Sequence, residues 1–132
     1  MCDKEELVLK FINKLNNIIK NIDNICNDDQ VHKVSSLISM YLSKTPYEAV
    51  DKIGPQLIAD PIKTYILEGI NDKSILVVKE LICKSETLSE YVNTKYISDV
   101  LENKWKGLSD KNKKLMMLKS RKLLHIYASY LK

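Results

Sequence analysis

Ile97-Ser-Asp-Val-Leu-Glu-Asn-Lys-Trp105-Lys-Gly-Leu-Ser-Asp-Lys-Asn-Lys113, followed by a Met-, Leu- and Lys-rich run through Tyr127, decides the fold. Ile97, Val100, Leu101 and Trp105 fall at i, i+3, i+4 and i+8, which is one face of a helix. Gly107 is the natural residue to end it in a left-handed conformation, with Leu108 as the apolar contact over the turn. Ser109 is a good cap for the next helix, and Asp110 puts a negative charge in its positive first turn. Two helices joined by so short a link pack against each other. The spacing therefore predicts a helical hairpin with Trp105 and Leu108 as its wedge and Trp105 largely buried.

The rest of the chain reads the same way. Only 3 Gly and 3 Pro occur, each at a point where a helix is expected to begin or end, and alternating strand patterns are scarce. A first long helix runs from Asp3 or Lys4 to about Cys26, with Leu7, Phe11, Leu15, Ile18, Ile22 and Ile25 as its apolar stripe. Asn27-Asp28-Asp29 breaks it and caps a second helix carrying Val31, Val34, Leu37, Ile38, Tyr41 and Leu42. Thr45-Pro46-Tyr47-Glu48 is a start signal, Thr45 capping and Pro46 at the first helical position, for a short helix stopped by Gly54-Pro55. Asp60-Pro61 opens a segment ending at Gly69, and Asn71-Asp72 starts another over Ser74 to Cys83 with Ile75, Val78 and Ile82 apolar. Thr87 with Glu90 offers a capping box before Leu88, Tyr91 and Val92. Whether residues 88–105 are one helix or two is open at this level. The expectation is an all-α fold: a compact bundle of about six or seven helices, long at both ends, forming a single all-helical domain over residues 1–132.

Composition sets the class. Hydrophobic residues at 45% and charged residues at 29% are the balance of an ordinary globular chain. No apolar run approaches the length of a transmembrane segment, and the acidic start Met-Cys-Asp-Lys-Glu-Glu is unlike a signal peptide. An intracellular protein is expected, with cytoplasm, nucleus and virion not distinguished. Cys2, Cys26 and Cys83 are scattered and odd in number, which fits small buried hydrophobes better than disulfides or a zinc site.

No catalytic grouping stands out: there is no Gly-rich phosphate loop, no His-Glu-x-x-His and no Gly-x-Ser-x-Gly. With His32 and His125 the only histidines, a metal site would have to gather distant ligands. The acidic pairs Glu5-Glu6 and Asp28-Asp29 sit at helix starts, where capping accounts for them. The reading is therefore a non-enzyme with no catalytic residues, no metal, no cofactor and no small-molecule substrate.

Charge is unevenly distributed. Residues 1–103 carry 12 Lys against 16 Asp and Glu, whereas residues 104–132 carry 8 Lys and Arg121 against Asp110 alone. On the final helix Met116, Met117, Ser120, Leu123, Leu124, Tyr127, Ala128, Tyr130 and Leu131 form a wide apolar arc, with Lys111, Lys114, Arg121, Lys122 and His125 opposite. Such an arc belongs either to a helix covered on most sides or to a partner-binding face. Leu118 is the apolar residue inside the basic arc. Lys104, Lys106, Lys111, Lys113, Lys114, Leu118, Arg121 and Lys122 are the candidate contacts to a partner or to phosphates.

Two resemblances attach to these residues. Ile97, Leu101, Trp105-Lys106-Gly107-Leu108-Ser109 and Lys113, with Met116, Ser120, Leu123 and Tyr127 beyond, resemble the second half of an HMG box, a small three-helix DNA-bending module. Ser74 to Cys83, where its first helix would lie, lacks that family's leading Pro, aromatic pair and basic residues. Over the whole chain, Phe11 and Leu15, Thr45-Pro46, Trp105 with Leu108-Ser109, Asn112-Lys113 and Leu123-Leu124 are similar to uncharacterised all-helical proteins of large nucleocytoplasmic DNA viruses, a group with no activity to carry over. That resemblance adds no activity to the class that the residues themselves suggest, an interaction or structural protein acting on a protein partner or by self-association through its C-terminal helices. The first implies a nucleic-acid-binding module built on the basic C-terminal region.

Overall fold

The computed structural model of the chain describes residues 3–69 and 72–132. Cys2 and Asn71, and the side chains of Ile75, Val78 and Thr87, lie outside the described residues. The elements are α1 (Lys4–Cys26), α2 (Asp29–Lys44), α3 (Pro46–Ile58), α4 (Ile62–Glu68), α5 (Asp72–Cys83), α6 (Glu86–Ser89), α7 (Thr94–Gly107) and α8 (Asp110–Tyr130). Among the described residues there is no strand, and α6 is a single turn, so seven longer helices make the all-α bundle that the sequence predicts, with its longest members at the two ends.

Local chemistry sets most of the boundaries. Asp3 caps α1 by accepting from the Glu5 N–H, and Asn27 ends that helix in the left-handed region at φ 46°. Asp28 accepts from the N–H groups of Gln30 and Val31 to start α2. Gly69 closes α4 at φ 99°. The ambiguity over residues 88–105 resolves as a break: α6 ends at Ser89, and the Asn93 side chain accepts from the Tyr96 N–H to open α7.

Four boundary expectations are corrected. Gly54-Pro55 does not stop α3, which continues to Ile58. Pro55 and Asp51, the residue four before it, are both exposed, so the carbonyl that Pro55 leaves without a helical donor is on the solvent side. Thr45 makes no side-chain cap for α3, because it also terminates α2, where its hydroxyl donates to the Tyr41 carbonyl at 2.9 Å. Ser85 caps the turn of α6, and Thr87 lies one residue inside that turn. Gly107 is the last helical residue rather than a left-handed one. The chain turns at Leu108 in extended geometry, its N–H still donating to the Trp105 carbonyl.

The main core joins the two ends of the chain. Val8, Phe11, Ile12 and Ile18 of α1 meet Leu42 of α2, Ala49 and Val50 of α3, and Met116, Leu123 and Tyr127 of α8. Leu15, Ile22 and Ile25 of the α1 stripe are only partly buried around it. Gly54 is buried within α3 because its face lies against the Tyr127 ring, and a methyl group there would overlap the aromatic carbons. Tyr127 in turn tilts against Phe11 at 6.1 Å between centroids and stacks on Tyr130 at 6.0 Å.

A second cluster, Cys26, Val31, Val92 and Ile97, seats the start of α7 on the α1–α2 junction. Cys26 is the small buried hydrophobe expected, but Cys83, the last residue of α5, is exposed there, its Sγ 3.3 Å from the Ser98 hydroxyl of α7. α5 packs along α7, where Lys79 bridges Asp99 and Glu102, and Glu102 also receives Lys106 at 3.1 Å.

Two outcomes test this packing. Gly54→Ala forces the Tyr127 ring or α3 to move and is expected to destabilise by about 1–3 kcal/mol, as overpacked cores do. A urea midpoint equal to that of the wild type would show that Tyr127 is not seated on Gly54.

The second concerns pH. The hydrogen bond from Lys79, then that from Lys106, holds the Glu102 carboxyl below the usual range. Its contribution is present above the ordinary carboxylate range and lost as pH falls through the lowered value. Lys79, raised by Asp99 first and then Glu102, loses its contribution only as pH rises through its raised value. The difference in Tm between wild type and Lys79→Met is therefore expected to be largest at neutral pH and to close in acid. A pH-independent difference would mean that Lys79 acts through packing alone.

Candidate recognition surface

The α7–α8 hairpin carries every residue singled out for recognition. Ser109 accepts from the Asn112 N–H at 3.2 Å and starts α8 immediately after the turn, with Asp110 in the first turn. Trp105, in the last turn of α7, is partly buried and packs against the main core. One side of its ring packs on the main core, while the Lys113 ammonium stands 5.8 Å from its centroid. A short link followed by a long basic helix leaves that side of the indole covered by a lysine, which does not exclude water as a core side chain would.

The hairpin sorts the predicted contacts onto different faces. Lys104 turns toward the α1–α2 junction, where its charge acts on Cys26 and Asp28. Lys106 is tied to Glu102. Neither joins the others. Lys113, Lys114, Leu118 and Arg121 do come together, along an open groove of about 510 Å³ whose walls include Trp105 and Met117 on one side and Glu68 and Gly69 at the end of α4 on the other. Arg121 is already engaged there: Nε donates to the Ile66 carbonyl at 3.0 Å and an Nη to the Leu67 carbonyl at 2.9 Å. These are the last turns of α4, whose carbonyls lack helical donors, so the guanidinium caps that helix.

Lys111 and Lys122 share the outer line of α8 with Leu118, since at roughly 100° per residue positions 111, 118 and 122 nearly eclipse. Leu118 is 51% exposed and Leu115, on the same line, 50%. The opposite side of α8 holds Met116, Leu123 and Tyr127 in the core, while Met117, Leu124 and Tyr130 are partly covered. Most of the wide apolar arc is thus explained by α1, α3 and α4 packing around it, but Ala128 and Leu131 are exposed. Leu115 is the residue that the sequence reading passed over; its spacing from Lys111 and Leu118 was the available signal. Glu68 and Gly69 carried no such signal, because only the tertiary fold brings α4 to this side of α8.

Other groups with chemical potential are separate from this surface. Burial pushes the Cys26 thiol up, the opposite of an activated nucleophile. His32 is exposed and lies 2.7 Å from the Asp23 carboxylate. The Asp28 carboxyl is lowered by the hydrogen bond from the Tyr96 hydroxyl and by the backbone donors of α2, the work of a helix cap. Among the described residues no group of three or more His, Cys, Asp or Glu is placed to hold a metal, and no helix is long and apolar enough to cross a membrane. A second concavity of about 470 Å³, lined by Val34, Ile38 and Tyr41 of α2, Ile53 of α3, and Leu88 and Tyr91, is almost wholly apolar.

No family model, curated protein or solved structure matches the chain.

The half-buried indole sets an energetic expectation. Trp105→Ala should cost about 2 kcal/mol, short of the 3–5 that a fully buried Trp loses. Denaturant unfolding checks this, and an unchanged midpoint would detach Trp105 from the core.

Proposed function

We propose that this chain is a non-enzymatic, all-helical interaction protein that recognises a partner through the exposed face of its C-terminal helices. The observation that carries the reading is the outer line of α8. There two leucines about half exposed, Leu115 and Leu118, are flanked by Lys111, Lys114 and Lys122, while the other side of the same helix is committed to the core. Apolar side chains left in water beside a set of cations are what an interface with an anionic partner uses. The likeness to all-helical proteins of large nucleocytoplasmic DNA viruses, and with it an intracellular place of action, accords with this reading but adds no partner. No catalytic step is assigned: Cys26 is a buried thiol, His32 lies against Asp23, and Asp28 caps α2.

The second reading, an HMG-box-like nucleic-acid module, draws on the same cations. Against it stands their division. Lys79, in the helix where that module's first basic helix would lie, bridges Asp99 and Glu102, Lys106 is paired with Glu102, and Lys104 faces α1 and α2.

A single set of variants tests both. Lys111→Glu, Lys114→Glu and Lys122→Glu together should leave the circular dichroism unchanged, since each surface change alters stability by only about 0.5 kcal/mol or less. They should also elute the protein from a heparin column at markedly lower salt. Elution of wild type and variant together would remove this face from the reading. Binding to a random duplex with a log–log salt slope of about 0.9 per phosphate contacted would favour the nucleic-acid module instead.

A further inference from the structure

The groove between the end of α4 and the α7–α8 hairpin has more definition than the lysine line beside it. Its apolar surface is Trp105, Met117 and Leu118, and its cations are Lys113, Lys114 and Arg121. Two of those cations are held before any ligand arrives. Arg121 is fixed by its hydrogen bonds to the Ile66 and Leu67 carbonyls, and Lys113 lies over the indole. Side chains already positioned lose less conformational freedom on binding, which is where much of the cost of recognition falls. The groove is open to solvent along its length, with a volume of about 510 Å³. Glu68 and Asp110 also line the groove, so it is not uniformly positive.

From this we infer that the groove docks a short acidic segment of a protein partner bearing one large apolar anchor. The anchor lies on Trp105, Met117 and Leu118, and flanking carboxylates meet Lys113, Lys114 and the remaining donors of Arg121. The inference rests on the proposed recognition role and adds the partner's chemistry. Glu68 and Asp110 decide between a peptide and a nucleic acid. A phosphate backbone repeats its charge at every nucleotide and would bring some phosphates against those carboxylates. It would also leave the apolar wall unfilled. A peptide places its acids selectively, opposite the three cations, with an uncharged backbone beside Glu68 and Asp110. An apolar anchor in a pocket with a charged rim is the arrangement in which few residues carry most of the affinity.

The chain supplies its own reporter, since Trp105 is the only tryptophan. The probes are a short fluorescein-labelled peptide of Asp and Glu with one central Phe, the same peptide with that Phe replaced by Ser, and a labelled random duplex. The Phe peptide is expected to bind by anisotropy and to shift Trp105 emission, and the Ser peptide to bind about tenfold more weakly with no shift. Leu118→Asp and, separately, Lys114→Glu should each lower affinity for the Phe peptide by about tenfold or more. Lys104→Glu, which faces away, should leave it unchanged. Circular dichroism confirms that each variant is folded.

Equal affinity for the two peptides, unshifted Trp105 emission, indifference to Leu118→Asp, or tighter binding of the duplex would each overturn the groove assignment. Loss of peptide binding in Lys111→Glu/Lys122→Glu but not in Lys113→Glu would overturn the groove while leaving the outer face of α8 as the recognition surface. Failure of the Phe peptide to bind, with heparin retention still dependent on the three lysines, would do the same. Failure of both would remove the recognition reading as well.

Discussion

The ring of Tyr127, set on the bare backbone of Gly54 and tilted against Phe11, is the contact on which the rest of the arrangement depends. It joins α8 to α3 and α1, so the last helix, the first helix and a middle one share a single point of closest approach. Because α1 and α8 are the terminal elements, the main core is incomplete until the whole chain is present. Everything that α8 shows to solvent is fixed by what its other side buries: Met116, Leu123 and Tyr127 set the rotation of the helix, and that rotation turns Lys111, Leu115, Leu118 and Lys122 outward. That outward face is thus a consequence of core packing.

A smaller assembly hangs on this one. α5 and α7 pack along each other under the Lys79 bridge, and the start of α7 meets α1 and α2 through Cys26, Val31, Val92 and Ile97. The Lys79 ion pairs are partly buried, Glu102 being the most covered of the three side chains. Trp105 stands where both meet, packing on the main core from the end of α7.

How much of this was legible in the chain depended on the range of the cause. Caps formed by residues within four positions of their targets were read directly: Asp3, Asp28 and Ser109 all act as their local sequence suggests. The apolar stripe of α1 was legible too, because a period of about 3.6 is written in the residues themselves. Readings failed where a distant element decided. Gly54-Pro55 reads as a stop until Tyr127 is known to need that glycine, and Thr45 reads as a cap until α2 claims its hydroxyl. Cys83, read as a buried thiol, is exposed because it stands at the end of α5, where its packing partner α7 covers it only in part. Of the candidate site, the basic and apolar faces of α8 were visible at the level of periodicity, but the groove was not. Its far wall comes from Glu68 and Gly69, and nothing in residues 104–132 points to them.

Arg121 has a double position. Two of its N–H groups close the end of α4, while the same guanidinium lines the groove beside Leu118. Any anion that draws the guanidinium toward itself weakens its hold on the Ile66 and Leu67 carbonyls, and any displacement of α4 alters the cation offered to the groove. By linkage the two effects are equal in free energy, whichever is taken as the cause. Were the groove to take an anion, its occupancy and the seating of α4 would be linked through Arg121.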